Sequence, residues 1–171
     1  MNNSFFNNVY LGLGSNKGDK TDFIKKTIES IKKIKSCELI SVSSLYESLP
    51  FGDVEQENFL NAVIKIKTFL DHNSLLKILK DIEKEIGRIQ SKRWGPREID
   101  IDILFFNDLI FSNEIITLPH KGVIYRDFVL VPLGEIEPDL VHPVYKKKVC
   151  DFIKELKTHN IIKKIPFSIL T

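Results

Sequence analysis

Asp100 and Asp102 stand two residues apart in the stretch RWGPREIDIDILFF, which runs from Arg93 to Phe106. In a strand, side chains alternate between the two faces. Both carboxylates therefore share one face, about 7 Å apart at about 3.3 Å per residue. Ile99, Ile101, Ile103 and Phe105 fall on the other face, which is wholly apolar. Two like charges side by side repel unless a cation sits between them. Mg2+ suits that place, because carboxylate oxygens are its preferred protein ligands. Just upstream, Arg93 and Arg97 flank Trp94. Arginines and an aromatic ring beside a carboxylate pair are what a magnesium-bound nucleotide polyphosphate requires. The competing reading is an edge strand whose aspartates are neutralised by those same arginines.

Other elements must position this pair. Phe59–Phe69 has the alternation of a strand, with Phe59, Asn61 and Val63 on one face and Leu60, Ala62 and Ile64 on the other. An Asn between apolar neighbours needs hydrogen-bond partners if buried. It serves either a structural network or the polar edge of a ligand. A helix capped by Asn73 or Ser74 carries the stripe Leu75, Leu79, Ile82 and Ile86, with Glu83 beside it and Gly87 at its end. The basic stretch RIQSKRWGPR that follows reads as a polyphosphate lid. Near the start, Val9–Leu13 is a strand running into GLGSNKGDK. Its glycines match neither the dinucleotide fingerprint nor a P-loop, so it reads as a structural turn. An amphipathic helix over 19–35 and a strand over 37–46 come next. The segment from Ser48 to Asn58 is a loop. Short strands are expected at Leu109–Phe111 and Ile115–Leu118, an apolar run at Val129–Leu133, a last helix at Lys148–Thr158, and an extra strand from Ile161. This order matches the split unit of a ferredoxin-like core: an α+β fold with a mainly antiparallel sheet and helices packed against it.

With 171 residues, a single domain spanning 1–171 is expected. A net charge of +2 gives no global argument for nucleic acid or an anionic membrane. Cys37 and Cys150 have no metal or redox spacing, and reduced, buried thiols in a cytoplasmic protein are expected. The opening MNNSFFNN does not read as a secretory signal, and no apolar stretch approaches membrane-spanning length.

With these pieces placed, the chain resembles the 6-hydroxymethyl-7,8-dihydropterin pyrophosphokinases of folate biosynthesis. RWGPREIDIDI is similar to that family's Gly-Pro-Arg motif followed by Asp-x-Asp in an apolar strand. LGSN at 13–16, SSLYES at 43–48, FLNAV at 59–63, LPH at 118–120 and RDF at 126–128 accompany it in the family's order. The resemblance implies an ATP-dependent transferase that moves a diphosphate from ATP to the pterin hydroxymethyl group and leaves AMP. It implies two Mg2+ ions on Asp100 and Asp102. Arg88, Arg97, His120 and Arg126 match the phosphate side, and Trp94 the mobile catalytic loop. Lys80, Glu83, Ile103 and Thr117 match nucleotide positions. Phe59 and Phe128 would sandwich the pterin, Asn61 would read its amide-like edge, and Ser48, Leu49 and Phe51 would complete the pocket. Arg88, Trp94, Arg97, Asp100 and Asp102 form the expected catalytic set. A cytoplasmic monomer without nucleic-acid or membrane partners is expected.

The basic loop departs from the commoner family pattern, with Gln90 and Lys92 where a second Arg is frequent. Two other classes fit parts of the pattern. A nucleotidyltransferase also uses two strand carboxylates with metals. An RNA-binding module can display aromatics on a ferredoxin-like sheet, but no basic-aromatic RNP-type motif is found here.

Overall fold

A computed structural model describes residues 6–51, 55–89 and 95–168. In chain order the elements are β1 (Asn7–Ser15), α1 (Lys20–Lys32), β2 (Cys37–Val42), β3 (Leu45–Ser48), β4 (Phe59–Thr68), α2 (His72–Ile86) and β5 (Asp100–Phe106). They continue with β6 (Phe111–Ser112), β7 (Thr117–Leu118), α3 (Asp127–Ile136), α4 (Val149–Lys154) and β8 (Ile161–Ile165). The main sheet has the order β5-β1-β4-β3-β8, with β2 also paired to β4. Every pairing is antiparallel. The strands β5, β1, β4 and β2 with α1 and α2 form the expected ferredoxin-like α+β core.

The sheet has two apolar faces. On one, Ile24, Ile28 and Ile31 of α1 and Leu75 and Leu79 of α2 pack fully buried against Val9, Leu11, Ile64, Ile99 and Ile101. On the other, Leu130 and Leu133 of α3 and Val149 of α4 meet Tyr10, Val63, Leu104 and Phe105. The second layer covers only part of its face, and the uncovered part holds the aspartates.

Local chemistry sets the ends of the helices. Asp19 caps α1 by accepting from Asp22 N at 3.0 Å. Asp71, rather than Asn73 or Ser74, caps α2, accepting from the amides of both at 2.9 and 3.1 Å. Gly87 ends α2 at φ 108°, where any other residue would be strained.

Several further expectations change; the strand expected at Leu109–Phe111 is reduced to β6, Phe111–Ser112. The strand expected over 37–46 breaks at Ser43, whose Oγ accepts from Val63 N at 2.9 Å, and β3 continues to a new partner, β8. A bulge in β5 turns Phe105 to the second face with Leu104. Only Ile99, Ile101 and Ile103 therefore share the apolar face opposite the aspartates, joined by Phe106. The apolar run at 129–133 lies inside helix α3. Gly134 lets α4 come close: a Cβ there would sit 2.3 Å from Ile153 Cδ1. Cys37 and Cys150 are free and half-buried rather than buried, the first on strand β2 and the second in the first turn of α4.

Candidate active site

β5 places Asp100 and Asp102 opposite Gly14 and Gly12 of β1, and β1 in turn places Gly14 opposite Asn61 and Gly12 opposite Val63 of β4. The two glycines lie inside the strand, not in the turn after it. Having no side chains, they leave a trough between the carboxylates and the Phe59–Asn61 strand. A Cβ on Gly14 would stand 3.4 Å from Asn61 Oδ1, and one on Gly12 3.2 Å from Leu104 Cδ2.

This trough is the floor of a cleft. Ser48, Leu49, Phe51, Phe59, Asn61 and Phe128 line it, together with Arg97, Asp100, Asp102, His120 and Arg126. One cavity thus gathers the expected pterin-side residues and, of the expected phosphate-side residues, Arg97, His120 and Arg126; Arg88 does not line it. Asn61 is 6% exposed and donates from Nδ2 to Ser48 Oγ at 2.9 Å, which fixes the orientation of its amide. The Phe51 and Phe128 rings meet edge-on at 6.3 Å, and the Arg126 guanidinium lies 5.3 Å over the Phe51 ring. Asp127 holds this wall in place. Its carboxylate accepts from the amides of Asn160 and Ile161 at 2.5 and 2.9 Å, and Leu49 N donates to Asn160 O at 2.9 Å.

A second cleft adjoins the first and shares Asp102 and His120 with it. Lys80, Ile103 and Thr117, the expected nucleotide residues, line this second space together with Leu76 and Ile116. Glu83 lines neither cleft. It is 2% exposed, and its Oε1 accepts from Ile101 N and Lys80 Nζ, each at 2.7 Å. Its Oε2 accepts from Arg88 Nη1. Trp94 lies outside the described residues, as do Gln90, Lys92 and Arg93.

The two aspartates differ electrostatically. Asp100 accepts from Arg88 Nη1 at 2.8 Å and from Arg97 Nη1, with Lys80 Nζ at 3.9 Å. Burial alone would raise its pKa, but Arg97, Lys80 and Arg88 overcome burial and hold it below the usual carboxylate value. Asp102 makes no ion pair within 4 Å among the described residues. Burial first, and then the Asp100 charge, push its pKa up. His120 Nδ1 accepts from Gly122 N at 3.1 Å, which leaves the ring hydrogen on Nε2. Burial lowers the His120 pKa against the pull of Asp102, so the ring is a neutral donor near pH 7.

The donor set fits a hard cation. One partly buried carboxylate has no ion pair within 4 Å among the described residues, and a second stands beside it on the same strand face. Among the described residues no three His, Cys, Asp or Glu side chains gather as a closed metal cage. Mg2+ does not need one, because it keeps several waters and takes one or two carboxylates plus substrate phosphates.

Three groups of residues here were not singled out for chemistry in the sequence. Gly12 and Gly14 form the floor. Asn16 Oδ1 accepts from Arg97 N at 2.7 Å and orients the phosphate side. Glu98 accepts from Lys17 at 2.6 Å and from Ile89 N at 3.4 Å, pinning both ends of the basic stretch. Glu98 lies next to the diagnostic motif and Asn16 lies within LGSN, so the motifs marked their positions but not their partners.

Comparison with known proteins points to one family. Residues 10–138 match the model of the family described as 7,8-dihydro-6-hydroxymethylpterin-pyrophosphokinase. An Aquifex aeolicus protein named 2-amino-4-hydroxy-6-hydroxymethyldihydropteridine pyrophosphokinase is 45% identical over 155 residues, covering 91% of this chain and 93% of its own length. The Schizosaccharomyces pombe folic acid synthesis protein fol1 is 40% identical over 90% of this chain, which spans only 21% of that longer protein. A crystal structure of a Plasmodium falciparum HPPK-DHPS chain covers 91% of this chain with a TM-score of 0.72 and 19% identity. This chain spans 44% of the Plasmodium chain, and that likeness concerns the fold alone.

Proposed function

The chain belongs to the 7,8-dihydro-6-hydroxymethylpterin-pyrophosphokinase family, and on that premise we propose how its two clefts share the reaction. The reaction is ATP-dependent transfer of a diphosphate to the hydroxymethyl group of 6-hydroxymethyl-7,8-dihydropterin, in folate synthesis. The first cleft takes the pterin. The second takes the adenine and ribose of ATP, and the triphosphate crosses at Asp102 and His120. The observation that carries this division is the sharing of those two residues by two clefts of different lining. One holds aromatics and a fixed amide; the other holds Lys80, Asn113, Glu114, Thr117 and Lys121 beside aliphatic side chains.

The chain's own groups then have separate tasks. Phe59 and Phe128 hold the flat bicycle by its faces, and Asn61 reads its hydrogen-bonding edge. Ser48, Leu49 and Phe51 close that end. Lys80, Ile103 and Thr117 hold the nucleoside. Arg97, Arg126 and the Nε2–H of His120 face the transferred phosphates and stabilise the charge that develops on them. Glu83 acts through Lys80 and Arg88, which it fixes in place. Asp100 and Asp102 would hold two Mg2+ ions. When bound, these supply charge neutralisation at the triphosphate and at the attacking and leaving oxygens of an in-line displacement. Trp94 belongs to the same reading as part of the loop over the site. We further propose a monomer acting in the cytoplasm as one domain; no helix among the described residues is long and apolar enough to cross a membrane.

Incubation with ATP, Mg2+ and the hydroxymethyl dihydropterin is expected to yield AMP and the pterin diphosphate in equal amounts. Release of inorganic pyrophosphate, as a nucleotidyltransferase would give, or no turnover would overturn the reading. Asn61→Ala is expected to raise the pterin KM by about tenfold, the worth of roughly one neutral hydrogen bond. The KM for ATP should stay unchanged. Steady-state kinetics with each substrate varied in turn checks this, and an equal rise in both KM values would remove Asn61 from the pterin side.

A further inference from the structure

We propose that Gly122 sets where the Arg126 guanidinium stands. The bare Cα at 122 leaves the space that the guanidinium fills, and any side chain there would push it out of the site. The inference rests on the assignment of Arg126 to the transferred phosphates made above.

Arg126 stands just before α3 and lines the first cleft. Among the described residues its guanidinium makes no hydrogen bond and no ion pair, so contacts alone define its place there. One contact is the Phe51 ring, 5.3 Å from Cζ. The other is Gly122. A Cβ at 122 would stand 2.8 Å from Arg126 Nε, 2.9 Å from Cζ and 3.1 Å from Cδ. Two of these three distances fall below 3.0 Å, an approach that Cβ atoms do not make. The guanidinium therefore occupies volume that belongs to a side chain at any other residue type.

Turn geometry does not account for this glycine. The glycines with positive φ are Gly18 and Gly87, and Gly122 is not among them, so its backbone would accept alanine. That backbone is also unable to retreat. Gly122 N donates to His120 Nδ1 at 3.1 Å, and His120 N donates to Leu104 O at 2.9 Å, which fastens the turn to β5. Val123 N donates to His120 O at 3.1 Å, and the Val123 side chain is fully buried with Leu104 and Phe105. Arg126, by contrast, meets Gly122 with the end of a flexible side chain, so the guanidinium is the part that yields. A methyl group at 122 would displace it and still leave the 122 N–H on His120. Gly122 lines neither cleft and is a positioning residue, acting through Arg126.

The test joins steady-state kinetics to the amide and guanidinium NMR spectrum of the ligand-free protein. Arg126→Met should lower kcat by about a hundredfold, the size expected when one donor to developing charge is lost. Gly122→Ala should lower kcat by more than about tenfold, with both KM values within about twofold of wild type. In the Arg126→Met background the same alanine should change kcat by less than about twofold, because no guanidinium is left to displace. A merely structural role for Gly122 would give the same loss in both backgrounds. The Arg126 Nε–H resonance, identified by its disappearance in Arg126→Met, should shift in Gly122→Ala as the guanidinium leaves the Phe51 ring. The melting temperature of Gly122→Ala should be unchanged or slightly raised, as for Gly→Ala at a compatible backbone. A wild-type kcat in Gly122→Ala beside a slow Arg126→Met would overturn the inference and leave the substrate assignment standing. Equal losses in the two backgrounds, an unmoved resonance, or a Tm lowered by more than about 3 °C would also overturn it. A wild-type kcat in Arg126→Met would overturn the assignment of Arg126 to the phosphates itself.

Discussion

Asp102→Asn is expected to lower kcat by about a thousandfold and, at the same time, to make the ligand-free protein more stable at pH 7. The two effects have one origin. Asp102 is a partly buried carboxylate next to a second carboxylate, and both conditions raise its pKa in the folded protein. A group whose folded pKa lies above its unfolded value favours folding when protonated. That contribution is complete below the unfolded pKa and disappears as pH rises through the folded pKa. At pH 7 the ionised Asp102 therefore costs stability, and the uncharged amide removes that cost. A gain of about 1 kcal/mol, or about 2–4 °C in Tm, is expected, shrinking toward zero below about pH 4. Asp100→Asn should move the other way. Arg97, Lys80 and Arg88 hold the Asp100 pKa down, so its charge contributes stability above the unfolded pKa and loses it as pH falls through the folded pKa. Two neighbours on one strand face should thus give stability changes of opposite sign at pH 7, while both variants lose turnover. Thermal melts at pH 7 and pH 4 with the ligand-free proteins check this. Destabilisation by Asp102→Asn at pH 7 would show that its charge is already compensated, and the cation role would fall with it.

The part of this site that strand alternation can show was readable from the residues. Period-two patterning put Asp100 and Asp102 on one face, and Phe59 with Asn61 on one face of another strand. Both placements hold in the fold. What alternation cannot show is which strands become neighbours. Gly12 and Gly14 look like parts of a turn because glycine is common in turns. Their role appears only when β5 and β4 are laid on either side of them, and that register is a long-range property. Strict alternation puts Phe105 on the opposite face, because the bulge adds a residue without changing composition. Helix α3 is hidden in the sequence for a different reason. A segment reading DFVLVPLGEI, β-branched and carrying Pro132 and Gly134, lies between the cleft and α4 and shows no clear polar stripe. Glu83 sat visibly beside the apolar stripe of α2. That it would be almost wholly buried depended on Arg88 and Ile101 arriving from later in the chain.

Glu83 carries the largest expected effect on stability. Its carboxylate holds Lys80, Arg88 and the amide of Ile101 from a position only 2% exposed. Burial raises its pKa, so keeping it ionised has a cost of its own. Removing it costs more, because two cations lose a partner and a buried N–H is left unsatisfied. Glu83→Met, close in volume, is expected to destabilise by about 3–5 kcal/mol, or on the order of 10 °C in Tm. If the cause is the stranded Arg88 charge, Arg88→Met in the same chain should restore part of the loss. The double variant should then be more stable than Glu83→Met alone by more than about 1 kcal/mol, a coupling of the size seen for paired groups. Turnover should not return, because Asp100 would lose the Arg88 contact that helps to hold it in place. Strictly additive losses in the double-mutant cycle would show that Glu83 acts through packing and the Ile101 amide instead. Recovery of stability without recovery of rate would show that the buried pair is kept for the placement of Asp100, at some expense to the fold.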